Sequence, residues 1–380
     1  MSGTALLCLM TFCSTFCLGA FSPLLPEIGR ANGLTDWQLG MVAGSFGFAR
    51  MAGAVPTGWL AGHRLGTTLA ASPLLLALGL LLLGSAGSFA VLVLGRLFLG
   101  FAHTLGTVGG LTALLLREDR GPGSSMRLNI FEFSAMIGVL GGLGLVGTLP
   151  ASLGWNVSLM IGSSPLIVVL LIIPGLRRRF PDMPPGVRRA PETGEPRGLD
   201  SAPMPSIVWM MFAVGVMLAL SWSSVSQFLI PLRGTREFGL DRGGVSWLLM
   251  LSQFVDLVAL LPVGRLADRV GRVPMIGTVV VVLGAGTIAV GLGSFPLFVV
   301  GCACFGFGMA GWMLPLGVIR EHTRREVFAW RTGLYRVGVD AATFVGPMVS
   351  GLLGERDAGL FVAAVGVAAL ALGGRILLRP

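Results

Sequence analysis

The 380-residue sequence contains no lysine, one tyrosine and three histidines, and only 12% of its residues are charged. Soluble domains carry about 25% charged residues, so the composition excludes an ordinary soluble protein. All 27 basic residues are arginines, and the net charge of +9 belongs to a chain that is 54% hydrophobic. This pattern does not indicate nucleic-acid binding. The five cysteines lie within apolar segments and are expected to pack as small hydrophobic side chains.

The sequence also has little of what enzymes need. It contains no H-E-x-x-H pattern, no phosphate-binding loop and no Cys/His spacing typical of a metal site. No segment has the composition of a nucleotide-binding domain, which excludes an ATP-driven pump. We therefore predict no enzyme activity, no cofactor and no metal. The N-terminus has neither the basic region nor the cleavage site of a signal peptide, so the first apolar run is expected to remain as a membrane span.

Apolar runs of about 20 residues recur along the chain, and each is long enough to cross a bilayer as a helix. They predict an all-α membrane protein with two groups of six spans. A polar segment rich in Pro, Arg and Gly, residues 176–205, predicts a cytoplasmic linker between bundles at 1–175 and 206–380. The predicted spans are 4–23, 37–60, 68–87, 89–116, 127–149, 155–175, 206–230, 243–264, 273–292, 295–319, 329–352 and 358–378.

The arginines predict the orientation of these spans. With the N-terminus inside, 19 arginines fall on the cytoplasmic side, five fall outside and three lie within spans. Because cytoplasmic loops are enriched in basic residues, this bias predicts a multi-pass inner (plasma) membrane protein with both termini cytoplasmic. We expect a monomer in the lipid bilayer, with a small-molecule substrate and protons as its partners.

The two groups of spans repeat one another. SFAVLVLGRLFLGF at 88–101 matches SFPLFVVGCACFGF at 294–307 with an offset of 206, and 127–147 matches 331–351 with an offset of 204. Such duplication is typical of secondary transporters.

Two charged, glycine-rich segments occupy equivalent places in the repeat: GWLAGHRLG at 58–66 and GRLADRVGR at 264–272. We interpret both as short cytoplasmic loops, and we expect Asp268 to pair with a neighbouring arginine. The pattern resembles the loop motif of the major facilitator superfamily, although Gly62 stands where that family usually has Asp. The candidate conformational-loop residues are Gly58, Arg64, Gly66, Gly264, Asp268, Arg269, Gly271 and Arg272.

A weaker resemblance links the chain to the drug:proton antiporter branch of that superfamily. It rests on Pro23 and Pro26 in the first span and on Arg96 and Gly100 in the fourth, while the G-P-x-x-G-G marker of the fifth span is absent. The superfamily resemblance implies two six-helix bundles around a cavity that opens alternately to each side. It implies that spans 1, 4, 7 and 10 line the cavity and that spans 2, 5, 8 and 11 join the bundles. Because Gly62 replaces the usual Asp, one contact that the family uses to hold the two bundles together on the cytoplasmic side is expected to be weaker.

A charge within a membrane span is costly and usually functional. Six such residues matter here: Arg50, Arg96, Glu132, Asp256, Arg336 and Asp340. Equivalent positions carry opposite signs: Arg50 matches Asp256, and Glu132 matches Arg336. The family geometry implies that Arg50 meets Asp340 and that Glu132 approaches Asp256. Arg336 and Asp340 are four residues apart and share a helix face. Our candidates for proton coupling are Asp256, Glu132 and Asp340; static ion pairs between helices are the alternative.

The candidate substrate-binding residues are cationic, polar or aromatic side chains of the predicted spans. His103 follows Arg96 by seven residues, so both lie on one face of their helix. For each candidate, packing inside the bundle is the alternative role. The candidates are Arg50, Arg96, His103, Arg336, Gln227, Gln253, Trp222 and Tyr335.

These features lead to one principal hypothesis: a secondary active transporter that moves a small organic solute across the inner membrane by alternating access, coupled to protons. The buried arginines favour an organic anion, whereas the drug-branch resemblance favours efflux of a lipophilic compound. A proton-independent facilitator, or a transport-inactive sensor or scaffold, is the alternative.

Overall fold

The computed structural model describes residues 2–116, 124–182 and 204–378, and within these ranges the chain forms helices and no strands. Twelve helices, named α1–α12 here, are long enough to cross a membrane, and eleven are also strongly apolar. The exception, α2, is 28 residues long and rich in glycine. The predicted all-α membrane fold is confirmed. The helices are α1 Gly3–Ala31, α2 Asp36–His63, α3 Leu65–Gly84, α4 Phe89–Leu116, α5 Ser124–Thr148, α6 Trp155–Arg179, α7 Ser206–Arg236, α8 Arg242–Val270, α9 Arg272–Leu292, α10 Phe295–Glu321, α11 Trp330–Gly354 and α12 Asp357–Leu377.

Two helices continue well past their predicted ends. The first span extends to Ala31 instead of residue 23, and the seventh extends to Arg236 instead of residue 230. Helix α6 ends at Arg179, four residues inside the predicted linker. Residues 183–203, most of that linker, lie outside the described residues, and the domain boundaries stay predictions.

Several helices are interrupted within their length. Helix α1 contains a 3-10 turn at Ser22–Leu24, where Pro23 cannot donate a backbone hydrogen bond. Helix α7 contains a π-helical turn at Val225–Leu229. Helix α10 is broken by turns between Met309 and Leu314. Such breaks free backbone groups and redirect side chains, and they often mark functional sites.

Helices α11 and α12 form one helical run, Arg325–Leu377, that bends at a single residue. Gly354 has φ +78°, a left-handed conformation that glycine adopts without a steric penalty. The bend lets α12 turn back into the bundle and pack against α9.

The two halves of the chain meet through α2 with α11 and through α5 with α8, as the family resemblance implies. A Cβ atom at Gly47 would lie 2.6 Å from the backbone nitrogen of Phe344, so only glycine allows this approach of α2 and α11. On the other side, Ser246 Oγ of α8 donates a 3.0 Å hydrogen bond to the carbonyl of Leu143 in α5. Small residues at helix contacts permit such close packing in membranes.

One end of the bundle carries two ion pairs between the halves, and we call it the ion-pair face. Arg242 at the start of α8 binds both carboxylate oxygens of Glu27 in α1, at 2.8 and 2.5 Å. Arg236 at the end of α7 lies 2.8 Å from Asp36 at the start of α2. These contacts close the two halves against each other at this face.

The opposite end carries the two glycine-rich segments, and we call it the motif face. The prediction that both segments are loops is wrong for most of their length, because α2 continues to His63 and α8 to Val270. Only Arg64 and Gly271 lie between helices, and Gly271 has φ +98°. Both segments are therefore mainly the last turns of helices that apolar residues keep in the membrane.

The expected ion pair of Asp268 is also absent: its side chain is exposed, and no described residue forms a salt bridge with it. A neighbouring arginine finds a different partner, because Arg272 at the start of α9 pairs with Glu321 at the end of α10, at 2.8 Å. The prediction that Asp268, the nearest acid in the sequence, pairs with an arginine of this turn is therefore wrong, and Glu321 is the acid that does so.

The end of α6 is tied to the start of α3 at the same face. Asp182, just beyond α6, accepts hydrogen bonds from the backbone N–H of Thr67 at 2.9 Å and from its Oγ1 at 2.5 Å. Burial opposes ionisation, but these hydrogen bonds lower the pKa of Asp182 below its ordinary value. The carboxylate thus acts as an N-cap for α3 from a distant part of the chain.

Candidate functional site

A cavity of about 180 Å³ lies between the two halves at mid-membrane. It is lined by α1, α4, α7 and α10, as the family resemblance implies, and also by α2, α5 and α8. Its apolar wall includes Phe46, Trp222 and Phe305. The polar side chains that line it are Thr15, Ser22, Arg50, Arg96, His103, Ser226, Gln227, Ser252, Gln253 and Asp256.

Arg96 of α4 is only 2% exposed and has no carboxylate partner among the described residues. Its guanidinium donates 3.3 Å hydrogen bonds to the carbonyls of Val42 and Ala43 in α2. It also lies 4.0 Å from the ring centroid of Phe21 and 5.0 Å from that of Phe46. Carbonyl dipoles and aromatic faces stabilise a cation, but they leave its formal charge unneutralised.

One polar chain joins the two halves through this arginine. Arg96 Nη2 lies 3.5 Å from Gln227 Oε1, and Ser22 Oγ donates to the same oxygen at 3.2 Å. Gln227 belongs to the π-helical turn of α7, and Ser22 begins the 3-10 turn of α1. The helix breaks therefore bring polar side chains of both halves onto a single cation.

Arg50 and Asp340 form the ion pair that the family resemblance implies, with 2.6 Å between Nη2 and Oδ1. Asp340 is 1% exposed and Arg50 14%. Arg336, one turn before Asp340 on α11, places its Nε 3.9 Å from the other carboxylate oxygen. One buried carboxylate thus lies between two arginines, and this cluster links α2 to α11.

Asp256 of α8 lines the cavity and accepts a 3.3 Å hydrogen bond from Gln253, its neighbour one turn earlier. No arginine of the described chain forms a salt bridge with it. No hydrogen bond joins Glu132 to Asp256, and the expected approach of these two acids stays a prediction. Glu132 lies instead within electrostatic range of Arg336. The closest contacts between α5 and α8 lie nearer the ion-pair face, at Gly147 and Ser246.

The remaining candidates divide between the cavity and the packing around it. His103 and Trp222 line the cavity, and the His103 ring lies 5.5 Å from that of Phe46. Tyr335 does not line it: its ring is buried against Gly215 and lies edge-on to Phe212 at 5.6 Å. Glu132, Arg336 and Asp340 also lie outside the lining. Among the described residues, no group of three His, Cys, Asp or Glu side chains could hold a metal ion.

The sequence analysis missed the charged residues of the ion-pair face. In the sequence they look like ordinary loop charges. The repeat offers a signal, because Asp36 and Arg242 are equivalent at the offset of 206, as are Glu27 and Arg233. Arg50 and Asp256 are likewise 206 residues apart and opposite in charge. Opposite charges at equivalent positions of the repeat therefore mark functional candidates both at the ion-pair face and at the cavity.

Twelve helices in two halves around a central, polar-lined cavity define a membrane transporter of the alternating-access type. The sequence matches the Major Facilitator Superfamily over residues 7–235 and 211–380, and the chain belongs to this family. A search of curated proteins finds no match.

Solved transporter structures share the fold. The nucleoside transporter NupG has a TM-score of 0.74 at 16% identity, with 100% of both chains covered. The peptide transporter POT in complex with sulfate has a TM-score of 0.79 at 14% identity, covering 99% of this chain and 93% of the other. A POT family transporter in complex with 5-aminolevulinic acid has a TM-score of 0.82 at 11% identity, covering 99% and 95%.

Proposed function

We propose that the protein is a secondary active transporter that moves a small organic solute with an anionic group by alternating access, driven by protons. The observation that carries this proposal is the state of Arg96: a buried cation beside a cavity, without a carboxylate partner among the described residues. A carboxylate in the cavity would receive charge-assisted hydrogen bonds from the guanidinium, which are about twice as strong as neutral ones.

The dimensions of the cavity support a small solute. Its volume of about 180 Å³ is below the roughly 300–1,000 Å³ typical of pockets for drug-sized ligands. The walls combine a few polar groups with Phe46, Trp222 and Phe305, a composition that orients a small polar molecule.

The carboxylates differ in their suitability for proton coupling. Asp340 is held in an ion pair with Arg50, so it is the weakest candidate. Glu132 and Asp256 form no salt bridge with any described residue, and their protonation does not break one. We therefore assign the coupling proton to one of these two acids.

The test is solute flux into proteoliposomes with and without an inward proton gradient. We expect small carboxylates to be transported, the gradient to increase their flux, and Arg96→Ala to abolish saturable uptake. Arg320→Ala is the matched control, because it removes an exposed arginine outside the cavity. Flux that persists in Arg96→Ala would contradict the anion site. Flux that ignores the gradient would favour a facilitator, and no flux of any solute would favour a sensor or scaffold.

Drug:proton antiport is the second candidate, supported by the resemblance at Arg96 and Gly100. Both residues also have a packing explanation. A Cβ at Gly100 would lie 2.5 Å from the Phe46 carbonyl, so glycine lets α4 approach α2. Arg96 donates hydrogen bonds to carbonyls of α2. Uptake of lipophilic cations that survives Arg96→Ala would favour this alternative.

We further propose that the motif face is cytoplasmic and that the membrane is the inner (plasma) membrane, on the basis of the arginine distribution. This orientation would expose the ion-pair face to the outside. Labelling of single introduced cysteines on the two faces with an impermeant reagent in intact cells tests the assignment.

A further inference from the structure

The ionisable side chains inside the membrane-spanning helices carry formal charges that offset one another. Arg50 and Arg336 flank Asp340, and Glu132 lies within electrostatic range of Arg336. The formal charges of these four residues sum to zero, because two are cations and two are anions. The charges left over are a cation and an anion that both line the cavity: Arg96 and Asp256.

Neither of these two charges finds an ionic partner in the described protein. Arg96 binds carbonyls and an amide oxygen, and Asp256 accepts one hydrogen bond from Gln253. A charge inside a membrane protein is costly unless it is paired or hydrated. A simple anion would neutralise Arg96 but would leave Asp256 uncompensated in the same cavity.

The geometry points to a zwitterionic solute: we propose that the transported compound carries an anionic group that binds Arg96 and an ammonium group that binds Asp256. This inference rests on the proposed transport of a small organic solute and specifies its second charged group. It also leaves Glu132, which does not line the cavity, as the acid that carries the proton.

The depths of the two residues specify the spacing of the charges. Arg96 lies seven residues after the start of α4 and Asp256 lies fourteen after the start of α8. Both helices begin at the ion-pair face, so the Cα atoms of the two residues differ by about 10 Å in their position along the helix axes at 1.5 Å per residue. The two charges therefore belong to different levels of the cavity, which favours a solute with its charges at opposite ends of a short chain over an α-amino acid.

A set of four-carbon compounds tests the inference, because its members differ only in which charged groups they carry and in where the ammonium is attached. The compounds are 4-aminobutanoate, 2-aminobutanoate, butanoate and butan-1-amine. Binding to the purified full-length protein is measured by thermal stabilisation over a concentration series, since a ligand that binds the folded state raises its apparent stability. We expect 4-aminobutanoate to bind about tenfold or more tightly than butanoate, because its ammonium adds a charge-assisted hydrogen bond. It should also bind more tightly than 2-aminobutanoate, whose ammonium lies beside the carboxylate.

Two variants identify the groups that recognise the solute. Asp256→Asn should bind 4-aminobutanoate and butanoate equally, because the site for the ammonium is lost. Arg96→Gln should bind neither. Asp241→Asn is the control on the same helix: Asp241 caps α8 through a 2.8 Å bond to the Gly244 N–H, and asparagine caps equally well. This control should bind like the unmodified protein.

The outcomes separate this inference from the function on which it rests. If butanoate binds as tightly as 4-aminobutanoate, the zwitterion is wrong and the anion transporter stands. If butan-1-amine alone binds and Arg96→Gln retains it, both proposals are wrong. If none of the four compounds binds while the protein transports a larger carboxylate, the zwitterion inference fails as stated. If Asp256→Asn retains the preference for 4-aminobutanoate, the ammonium site lies elsewhere.

Discussion

Asp340 stabilises two arginines that belong to different halves of the chain. It is almost fully buried, 2.6 Å from Arg50 and 3.9 Å from Arg336. Removing one member of a buried ion pair leaves an uncompensated charge in a medium of low polarity, which usually costs about 3–5 kcal/mol. The two arginines are not equivalent, because only Arg50 forms a short contact.

We therefore predict that Asp340→Asn is more destabilising than Arg50→Ala. The first substitution leaves two arginines without their carboxylate and should lower the free energy of unfolding by about 3 kcal/mol. The second leaves Asp340 with Arg336 as a partner. Thermal unfolding of the detergent-solubilised protein provides the comparison, with Asp357→Asn at the exposed start of α12 as the control. Equal losses in Asp340→Asn and the control would show that this cluster carries no stabilising charge interaction.

At this scale the helix period predicted that Arg336 and Asp340 share a face, and the family resemblance implied the contact between α2 and α11. Arg50 and Asp340 were expected to meet, and they do. The setting of Arg96 was not predictable, because its partners are backbone carbonyls of α2, which any sequence provides. Glu132 and Asp256 form no hydrogen bond to each other, although α5 and α8 pack as the resemblance implies.

Helix ends are fixed by contacts from other elements. Helix α3 begins at Leu65 directly after Arg64 and has no side-chain cap from its own sequence. Asp182 supplies one from beyond α6, and hydrogen bonding to Thr67 lowers the pKa of this carboxyl group although its burial acts the other way. Sequence analysis found the turn but not this cap, because the two segments are 115 residues apart.

This cap predicts a pH-dependent contribution to stability. Above the ordinary aspartate pKa of about 3.9, Asp182 is ionised in both folded and unfolded states, and its bonds contribute fully. As the pH falls through the lowered pKa of the folded state, the carboxylate is protonated and the contribution is lost. Asp182→Ala should therefore reduce stability by about 1 kcal/mol at pH 6 and by much less below pH 3. Thermal unfolding at the two pH values measures the difference; a deficit that is constant with pH would argue for a packing effect instead.

The whole molecule is closed at the ion-pair face. The Arg242 side chain is 1% exposed, and besides both oxygens of Glu27 it binds Ser158 Oγ at 2.6 Å and the Leu153 carbonyl at 2.9 Å. All of these partners belong to the first half of the chain. The proposed alternating access requires the halves to separate at this face, so these bonds would break in each cycle. Their strength therefore favours the conformation observed here.

We predict that Arg242→Ala shifts the conformational equilibrium toward opening at the ion-pair face. A shift follows because the substitution removes interactions that exist only in the closed conformation. Distances between spin labels on the α1–α2 and α7–α8 turns, measured by double electron–electron resonance, should lengthen in a larger fraction of molecules. Arg30→Ala, which removes an exposed arginine at the end of α1, should leave the distances unchanged. Unchanged distances in Arg242→Ala would show that packing alone keeps this face closed.

The balance of mid-membrane charges has a consequence for the energy source of transport. A transmembrane voltage of 100 mV acts on each elementary charge that crosses the membrane with about 2.3 kcal/mol. Arg50, Arg96 and Arg336 offset the three acids Glu132, Asp256 and Asp340 in the described helices, so these side chains add no net charge to the conformational change of the empty protein. A bound zwitterion adds none. The membrane potential would then drive the cycle only through the proton, and each turnover would move one charge for every proton carried.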